Sequence, residues 1–353
     1  MDISSIWTRY QQYKITTAEL GLELDVSHMG FDSDFFNQQS QRVAAAITNM
    51  QQLEAGSAVN KSEKRMVGHY WLRAPELAPN SEIRAAIEDN QKKIAVFAEQ
   101  ILKGTILTPA NTKFKYLLVI GIGGSALGPQ LIYDALAPVA SSTGLQTFFF
   151  DNTDLEGMAL TVARIPSLQE TLVLVVSKSG GTPETYNGQQ FAWKQFQSQG
   201  LDPSKHFVAV TGVGSKLDLL AQEQAWLARF PMWDWVGGRT SIWGSVGLLP
   251  AALQGIDVAE LLSGAAVMDA ATRNSLPKEN PALMLALMWG YASNWKGEKD
   301  MMVLPYKDRL RLFSSYLQQL IMESLGKSHD STGALVNQGL SVFGNKGSTD
   351  QHS

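Results

Sequence analysis

Thr171–Thr185 reads TLVLVVSKSGGTPET, and this stretch decides the fold. Leu172–Val176 form an unbroken apolar run, mostly β-branched, which is typical of a strand buried on both faces of a parallel sheet. The next residues, Ser177–Thr182, are small and rich in hydroxyl groups, apart from Lys178, which adds a positive charge. Pro183 then suits the first position of a helix, with the preceding threonine as its N-cap. Strand, loop and helix start predict an anion cradle, although an ordinary capped loop has the same local pattern.

A second strand with a small-residue loop comes earlier in the chain. Tyr116–Ile120 are apolar and lead into GIGGSALG at Gly121–Gly128. This loop also fits the dinucleotide pattern G-x-G-x-x-A, and Asp151 stands where a ribose-binding acid would follow the next strand. A dinucleotide leaves the hydroxyl-rich loop unexplained. One phosphate held between Ser125 and Ser177–Thr182 accounts for both loops.

Buried strands alternate with helical patterns from residue 116 to residue 229. His206–Thr211 is a further apolar strand, and Leu217–Arg229 has the pattern of the helix that follows it. This alternation predicts an α/β fold with a doubly wound parallel sheet, in which ligands bind at the carboxyl ends of the strands. Both small-residue loops follow such strand ends.

Three regions are predicted along the chain. Apolar residues at helical spacing in Asp34–Leu53 and Ser81–Leu102, the latter with Ser81 as N-cap, predict a helical N-terminal region over residues 1–105. Residues 106–295 are predicted to form the first α/β domain. Residues 296–353 are predicted to begin a second α/β domain that is incomplete in this sequence.

The start of the second domain contains a candidate base. Strands are predicted at Met301–Leu304 and Val336–Phe343, with a helix at Arg309–Lys327 between them. Glu323 borders the apolar face of this helix, where partial desolvation would raise its pKa and make it a better base. Surface pairing with Lys327 at i+4 is equally compatible with the spacing.

Two basic side chains invite opposite interpretations. Arg239 follows Gly237 and Gly238 directly and precedes an apolar helix, so contact with a bound anion is more attractive than a surface ion pair. His69 lies beside Tyr70, and a lone histidine among aromatic residues is more often structural. We therefore predict a structural role for His69.

Composition excludes several classes of protein. The 353 residues carry a net charge of -4 without a basic stripe, which argues against nucleic-acid binding. The absence of cysteine excludes disulfides and thiolate metal sites. No apolar run approaches the length of a membrane span, and the N-terminus lacks a signal-peptide pattern. We therefore predict a cytoplasmic protein without membrane or nucleic-acid partners.

Motifs from several parts of the chain, taken together and in order, resemble one family. They are GIGGSALGP, SKSGGTPET, GGRTSIWGSVG, QQLIMESLGK and GSTDQH. The resemblance is to the glucose-6-phosphate isomerase (phosphoglucose isomerase) family, which has the sugar-isomerase fold. It implies a set of substrate-binding residues: Gly124, Ser125, Ser177, Lys178, Ser179, Thr182, Glu184 and Gln319.

The resemblance also implies a mechanism. Glu323 would move a proton between C2 and C1, and Arg239 would stabilise the enediolate. His352 would assist ring opening, reaching the site from the partner subunit of a homodimer. The implied reaction is the reversible isomerisation of glucose 6-phosphate and fructose 6-phosphate, in glycolysis and gluconeogenesis, with no metal or other cofactor.

Other readings of the same residues stay open at the level of sequence. The family's chain continues to a C-terminal helix with a catalytic lysine, so this sequence is expected to be a fragment or a truncated chain. A non-catalytic sugar-phosphate-binding or regulatory module, or an inactive fragment, is then the alternative to an enzyme. A dehydrogenase built on the first glycine loop comes third.

Overall fold

A computed structural model of the chain describes residues 3–57, 65–137, 144–330 and 332–352. The α-helices are α1 (Ile3–Tyr13), α2 (Phe35–Gln38), α3 (Ser40–Glu54), α4 (Ser81–Lys103), α5 (Leu127–Leu136), α6 (Leu155–Arg164), α7 (Pro183–Ser198), α8 (Lys216–Glu223), α9 (Ser245–Leu253), α10 (Val258–Ala271), α11 (Pro281–Ala292), α12 (Phe313–Leu317) and α13 (Gly347–Gln351). The strands are β1 (Lys14–Thr17), β2 (Leu22–Asp25), β3 (Tyr116–Ile120), β4 (Gln146–Phe150), β5 (Thr171–Ser177), β6 (Phe207–Thr211), β7 (Ala228–Pro231), β8 (Met301–Met302), β9 (Lys327–His329), β10 (Leu335–Gln338) and β11 (Val342–Phe343). None of the helices in these ranges is long and apolar enough to cross a bilayer.

The central sheet has five parallel strands in the order β4-β3-β5-β6-β7. Side chains of its middle strand alternate between two apolar cores. Leu172, Leu174 and Val176 belong to the core that also contains residues of α4 and α9. Val173 and Val175 belong to the core that contains residues of α6, α7 and α8. Helices therefore cover both faces, and the predicted doubly wound parallel α/β sheet is confirmed.

The edge strand of this sheet corrects one prediction. A single helix over Leu217–Arg229 is wrong in its second half, because α8 ends at Glu223 and β7 pairs with β6. Ala225 adopts a left-handed φ of 52°, and the Trp226 N–H donates to the Ala221 carbonyl at 2.9 Å to close the helix. The apparent helical spacing comes from a turn and a strand that bury their apolar side chains in the two cores.

The N-terminal region holds a β-hairpin as well as helices. β1 and β2 pair antiparallel inside residues 1–105, which were predicted to be helical. The predicted helix Asp34–Leu53 is divided into α2 and α3 at Gln39. The predicted N-cap of α4 is one residue too late, because Asn80 rather than Ser81 accepts a backbone N–H of the first turn. The domain boundaries stay predictions.

Two small sheets lie in the C-terminal part of the chain. β8 and β11 pair in parallel, and β9 and β10 pair antiparallel. The predicted helix Arg309–Lys327 is shorter than expected, since α12 runs into a π-helix at Gln318–Glu323 and Lys327 already belongs to β9. The predicted strand Val336–Phe343 is two strands, β10 and β11. The π-helix ends at Glu323, the residue predicted to be a base.

Candidate active site

The loop after β5 is a closed turn made by its own hydroxyl groups. Ser177 Oγ lies 3.2 Å from Thr182 Oγ1 and accepts the Gly180 N–H at 3.1 Å. Ser179 Oγ accepts the Gly181 N–H at 3.1 Å. Thr182 is the N-cap of α7, as predicted, but its side chain makes no capping bond within the helix. Hydroxyl groups thus gather at the positive end of a helix, an arrangement that binds anions.

The loop after β3 requires glycine because other segments press directly against it. A Cβ on Gly124 would lie 2.4 Å from the carbonyl oxygen of Gly238, and a Cβ on Gly123 would lie 3.0 Å from Nε2 of Gln319. Ser241 Oγ donates to the Gly238 carbonyl at 2.7 Å and to the Gly124 carbonyl at 3.4 Å. Packing within the chain explains these glycines, so they are no evidence for a dinucleotide.

Two adjoining chambers open beside these loops. The loop chamber, of about 370 Å³, contains the predicted residues Gly124, Ser125, Ser177, Lys178, Ser179 and Thr182 in its wall. The carboxylate chamber, of about 410 Å³, contains His69, Lys178, Arg239, Gln319 and Glu323 in its wall. Arg65, Lys178, Asp234 and Gly238 line both chambers. One elongated ligand can therefore reach from the hydroxyl-rich loop to Glu323.

Lys178 supports the wall between the chambers. Its Nζ donates to the Asp234 carbonyl at 2.9 Å and to the Val236 carbonyl at 3.0 Å. The Lys178 carbonyl in turn accepts the Gly212 N–H at 3.0 Å, which ties the loop to the end of β6. The lysine was predicted to lie beside the anion site, and the structure places it there with its ammonium group held on backbone carbonyls.

Arg239 and Glu323 face each other across the carboxylate chamber. Arg239 Nη1 lies 3.5 Å from Glu323 Oε1, and their side chains are 29% and 55% exposed. The carboxylate is thus more open than the partial desolvation predicted from sequence. Lys327 Nζ donates instead to the backbone carbonyls of Glu323 and Ser324, at 3.1 and 2.9 Å. The cation that partners the carboxylate is therefore Arg239, and the lysine binds the end of the helix.

A π-helix positions the two predicted polar residues of this wall. Gln319 and Glu323 both belong to the π-helix Gln318–Glu323 and both line the carboxylate chamber. Ile321 between them is buried and anchors the segment in the fold. Tyr316, one turn earlier, donates its hydroxyl to the Arg239 carbonyl at 3.3 Å. π-Helices are rare and occur frequently at functional sites, which agrees with a role for both residues.

His69 lines the carboxylate chamber, which sequence reasoning missed. Its Nδ1 is buried and has no hydrogen-bond partner among the described residues. Burial, with a smaller effect of the nearby Arg73 charge, lowers the pKa of His69 from 6.5 to about 4. The imidazole is therefore neutral at neutral pH, and it packs on Tyr70 with ring centroids 4.4 Å apart. The neighbouring Tyr70 is therefore a direct contact of His69, and the structural role of His69 stays a prediction.

Replacing His69 with glutamine is expected to make the free energy of unfolding less dependent on pH in the acid range. The folded chain keeps this imidazole neutral, whereas the unfolded chain binds a proton below pH 6.5. Stability is therefore lost as the pH falls from 6.5 towards 4, by about 3 kcal/mol at most for this shift of the pKa. Urea unfolding at several pH values measures the slope, with the exposed His329→Gln as control. An unchanged slope in the His69 variant would contradict the assignment.

Two predicted residues lie outside both chambers. Glu184 is in the first turn of α7, and His352 is exposed just after α13. Neither side chain lines the chamber walls given above. Delivery of His352 from a partner subunit stays a prediction. Among the described residues, no group of three or more histidine, aspartate and glutamate side chains is placed to hold a metal ion.

The parallel sheet and the two chambers beside its loops define an α/β protein with a candidate anion-binding site. The profile of the family "Phosphoglucose isomerase" matches residues 32–353. Glucose-6-phosphate isomerase of Geobacter sulfurreducens is 53% identical over all of this chain and 67% of its own length. The chloroplastic glucose-6-phosphate isomerase 1 of Arabidopsis thaliana is also 53% identical, over all of this chain and 58% of its own length. The chain therefore belongs to the phosphoglucose isomerase family, whose activity is that of aldose–ketose isomerases.

Solved structures agree with this assignment. A glucose-6-phosphate isomerase from Chlamydia trachomatis superposes with a TM-score of 0.86 at 28% identity, over 98% of this chain and 67% of that one. This likeness confirms the sugar-isomerase type of fold. The chain spans about two thirds of the length of the curated relatives that it matches.

Proposed function

We propose that this chain catalyses the reversible isomerisation of glucose 6-phosphate and fructose 6-phosphate through an enediolate, a reaction of glycolysis and gluconeogenesis. The observation that carries the proposal is the Arg239–Glu323 pair, with 3.5 Å between Nη1 and Oε1, in a chamber that adjoins the hydroxyl-rich loop. Relatives that are 53% identical bear the name of this activity. A sugar-phosphate sensor would not need this carboxylate and guanidinium, so the non-catalytic alternative is not favoured.

The loop chamber is the proposed site of the phosphate group. Hydroxyl groups of Ser125, Ser177, Ser179 and Thr182 offer donors there, next to the N-terminus of α7. Donors at a helix N-terminus suit a dianion because the helix dipole adds to their partial charges. The phosphate is remote from the reacting carbons, so its binding energy serves to position them. The sugar chain then extends past the shared wall to the carboxylate chamber.

Proton transfer is assigned to the carboxylate chamber. Glu323 removes the proton from C2 of the open-chain aldose and returns it to C1. A second proton passes from the C2 hydroxyl to the C1 oxygen, which yields the ketose. Arg239 offsets the negative charge that develops on the enediolate oxygens, and Gln319 lies on the same wall to hold a substrate hydroxyl. The proton transfer between C2 and C1 needs one base and one cation, and the pair offers both.

A homodimer completes the proposal. Ring opening requires an acid and base at the ring oxygen, and His352 is the residue assigned to it from the partner subunit. His352 is exposed within one chain, which leaves it available to a second copy. We infer a cytoplasmic location, in keeping with the cysteine-free composition of the chain.

A proton NMR time course of fructose 6-phosphate in deuterated water tests the proposal on this 353-residue chain. Glucose 6-phosphate should appear with deuterium at C2, because the base exchanges its proton with solvent before returning it. Unphosphorylated fructose serves as the control and should not react, since it cannot occupy the loop chamber. Binding of fructose 6-phosphate without conversion would contradict the proposed activity for this chain.

A further inference from the structure

Arg65 lies on the wall that the two chambers share, outside every motif considered above. Its Nη1 is 3.7 Å from Asp234 Oδ1, and the two side chains are 43% and 79% exposed. An ion pair this open to solvent contributes little to stability, so exchanging one partner for a ligand costs little. The ion pair between Arg65 and Asp234 is thus a weak one, and the guanidinium lies beside the loop chamber.

The backbone keeps Arg65 at this position. The Gly68 N–H donates to the Trp235 carbonyl at 2.9 Å, so the segment after Arg65 runs along the segment that contains Asp234. A Cβ on Gly68 would lie 2.1 Å from the Trp71 ring, which shows how tightly this turn is packed. The backbone that follows Arg65 is therefore tied to the segment that carries Asp234.

The other cation of the loop chamber is already engaged. Lys178 donates to two backbone carbonyls and lies 3.9 Å from Asp234 Oδ1. A phosphate monoester carries a charge of about -1.5 to -2 at neutral pH, which the neutral hydroxyl groups of the loop do not balance. A planar guanidinium donates two parallel hydrogen bonds to such a group, whereas an ammonium acts as a point charge. Arg65 is the side chain in this wall with that geometry.

We propose that Arg65 is a specificity-determining residue that binds the substrate phosphate, leaving Asp234 when the ligand enters. Asp234 holds the guanidinium in place and competes with the phosphate for it. The contact selects phosphorylated sugars over neutral ones. This inference rests on the proposed function, since it assigns the phosphate to the loop chamber.

Calorimetric titration of the chain with inorganic phosphate, and separately with fructose 6-phosphate, tests the proposal. Arg65→Met should raise both dissociation constants about tenfold, the value of one charge-assisted pair of hydrogen bonds. Arg65→Lys should raise them about threefold, because it keeps the charge and loses the fork. The exposed Arg164→Met on α6 is the matched control and should leave both constants unchanged.

A double-mutant cycle tests whether Asp234 competes with the phosphate for Arg65 or only changes the overall charge of the chamber. Asp234→Asn alone should lower the dissociation constant of phosphate about threefold, because the competing carboxylate is removed. In the Arg65→Met background it should have no effect. An equal effect in both backgrounds, or an unchanged constant in Arg65→Met, would overturn the proposal. If Arg65→Met lowers the melting temperature, the phosphate titrations of Arg65→Lys and Asp234→Asn alone decide whether Arg65 binds the phosphate.

These titrations need no turnover. A negative result would therefore leave the isomerase proposal standing, and failure of the isomerisation assay would leave the role of Arg65 in phosphate binding open to this direct measurement.

Discussion

Glu323→Gln is expected to lower the rate of isomerisation by roughly 10³-fold, within the range for loss of a general base. The amide has nearly the same shape as the carboxylate but cannot accept the C2 proton at neutral pH. Affinity for fructose 6-phosphate should change by less than about threefold, because the phosphate binds in the other chamber and the lost Arg239 contact is half exposed. This variant should thus lose most of its turnover and keep most of its affinity for fructose 6-phosphate.

The measurement combines the deuterium NMR assay with calorimetric titration of fructose 6-phosphate. Glu223→Gln is the matched control, since this exposed residue ends α8 and lines neither chamber. It should retain the rate and affinity of the unmodified chain. Full turnover in Glu323→Gln would show that another group moves the proton.

The same variant tests which subunit of the proposed dimer supplies His352 to the site. Chains with Glu323→Gln and chains with His352→Asn should each be inactive alone. After mixing under conditions that exchange subunits, a mixed dimer has one site with an intact Glu323 and an intact His352 from the partner. About one quarter of the sites should then be active, on statistical pairing of two equal populations. No regain of activity would place the histidine in the same subunit as the base, or exclude a dimer.

The sheet and its anion loop could be predicted because their signals are local. An unbroken apolar run such as Leu172–Val176 has few alternatives, and a loop of small residues before Pro183 marks a helix start. The parallel direction of the strands follows from the alternation of strands and helices, whereas their order in the sheet was not predicted. Arg239 pairs with Glu323, which is 84 residues further along the chain (323 − 239). Only the resemblance to a known family suggested that these two residues share a site.

The features that sequence reasoning missed depend on long-range packing. The π-helix at Gln318–Glu323 arises in a sequence that also fits an ordinary α-helix. Arg65 lies in the chamber wall because the segment after it pairs with a distant part of the chain, through the hydrogen bond from the Gly68 N–H to the Trp235 carbonyl. β7 is four residues long, too short for a periodic signal. In each case the deciding contact comes from another part of the chain.

Gly180→Ala is expected to disrupt the hydroxyl-rich loop Ser177–Thr182, whereas Gly181→Ala, at the neighbouring position, should leave the loop intact. Gly180 has a φ of 66°, in the left-handed region, and its added Cβ would lie 2.2 Å from the backbone nitrogen of Leu217. Leu217 is in the first turn of α8 and is buried, so it cannot yield as a flexible side chain would. At Gly181 the nearest atom to a new Cβ is Ser179 Oγ at 3.8 Å, an ordinary contact.

The substitution should therefore either lower the free energy of unfolding or displace the loop. If the loop keeps its place, the free energy of unfolding should fall by more than about 2 kcal/mol. If the loop moves away from α8, the Gly180 N–H leaves Ser177 Oγ, and the dissociation constant of phosphate should rise at least about tenfold. Urea unfolding and phosphate titration distinguish the two responses. A Gly180→Ala chain that matches Gly181→Ala in both would mean that the hydroxyl turn is not fixed by its packing on α8, and that the bound anion itself must shape the loop.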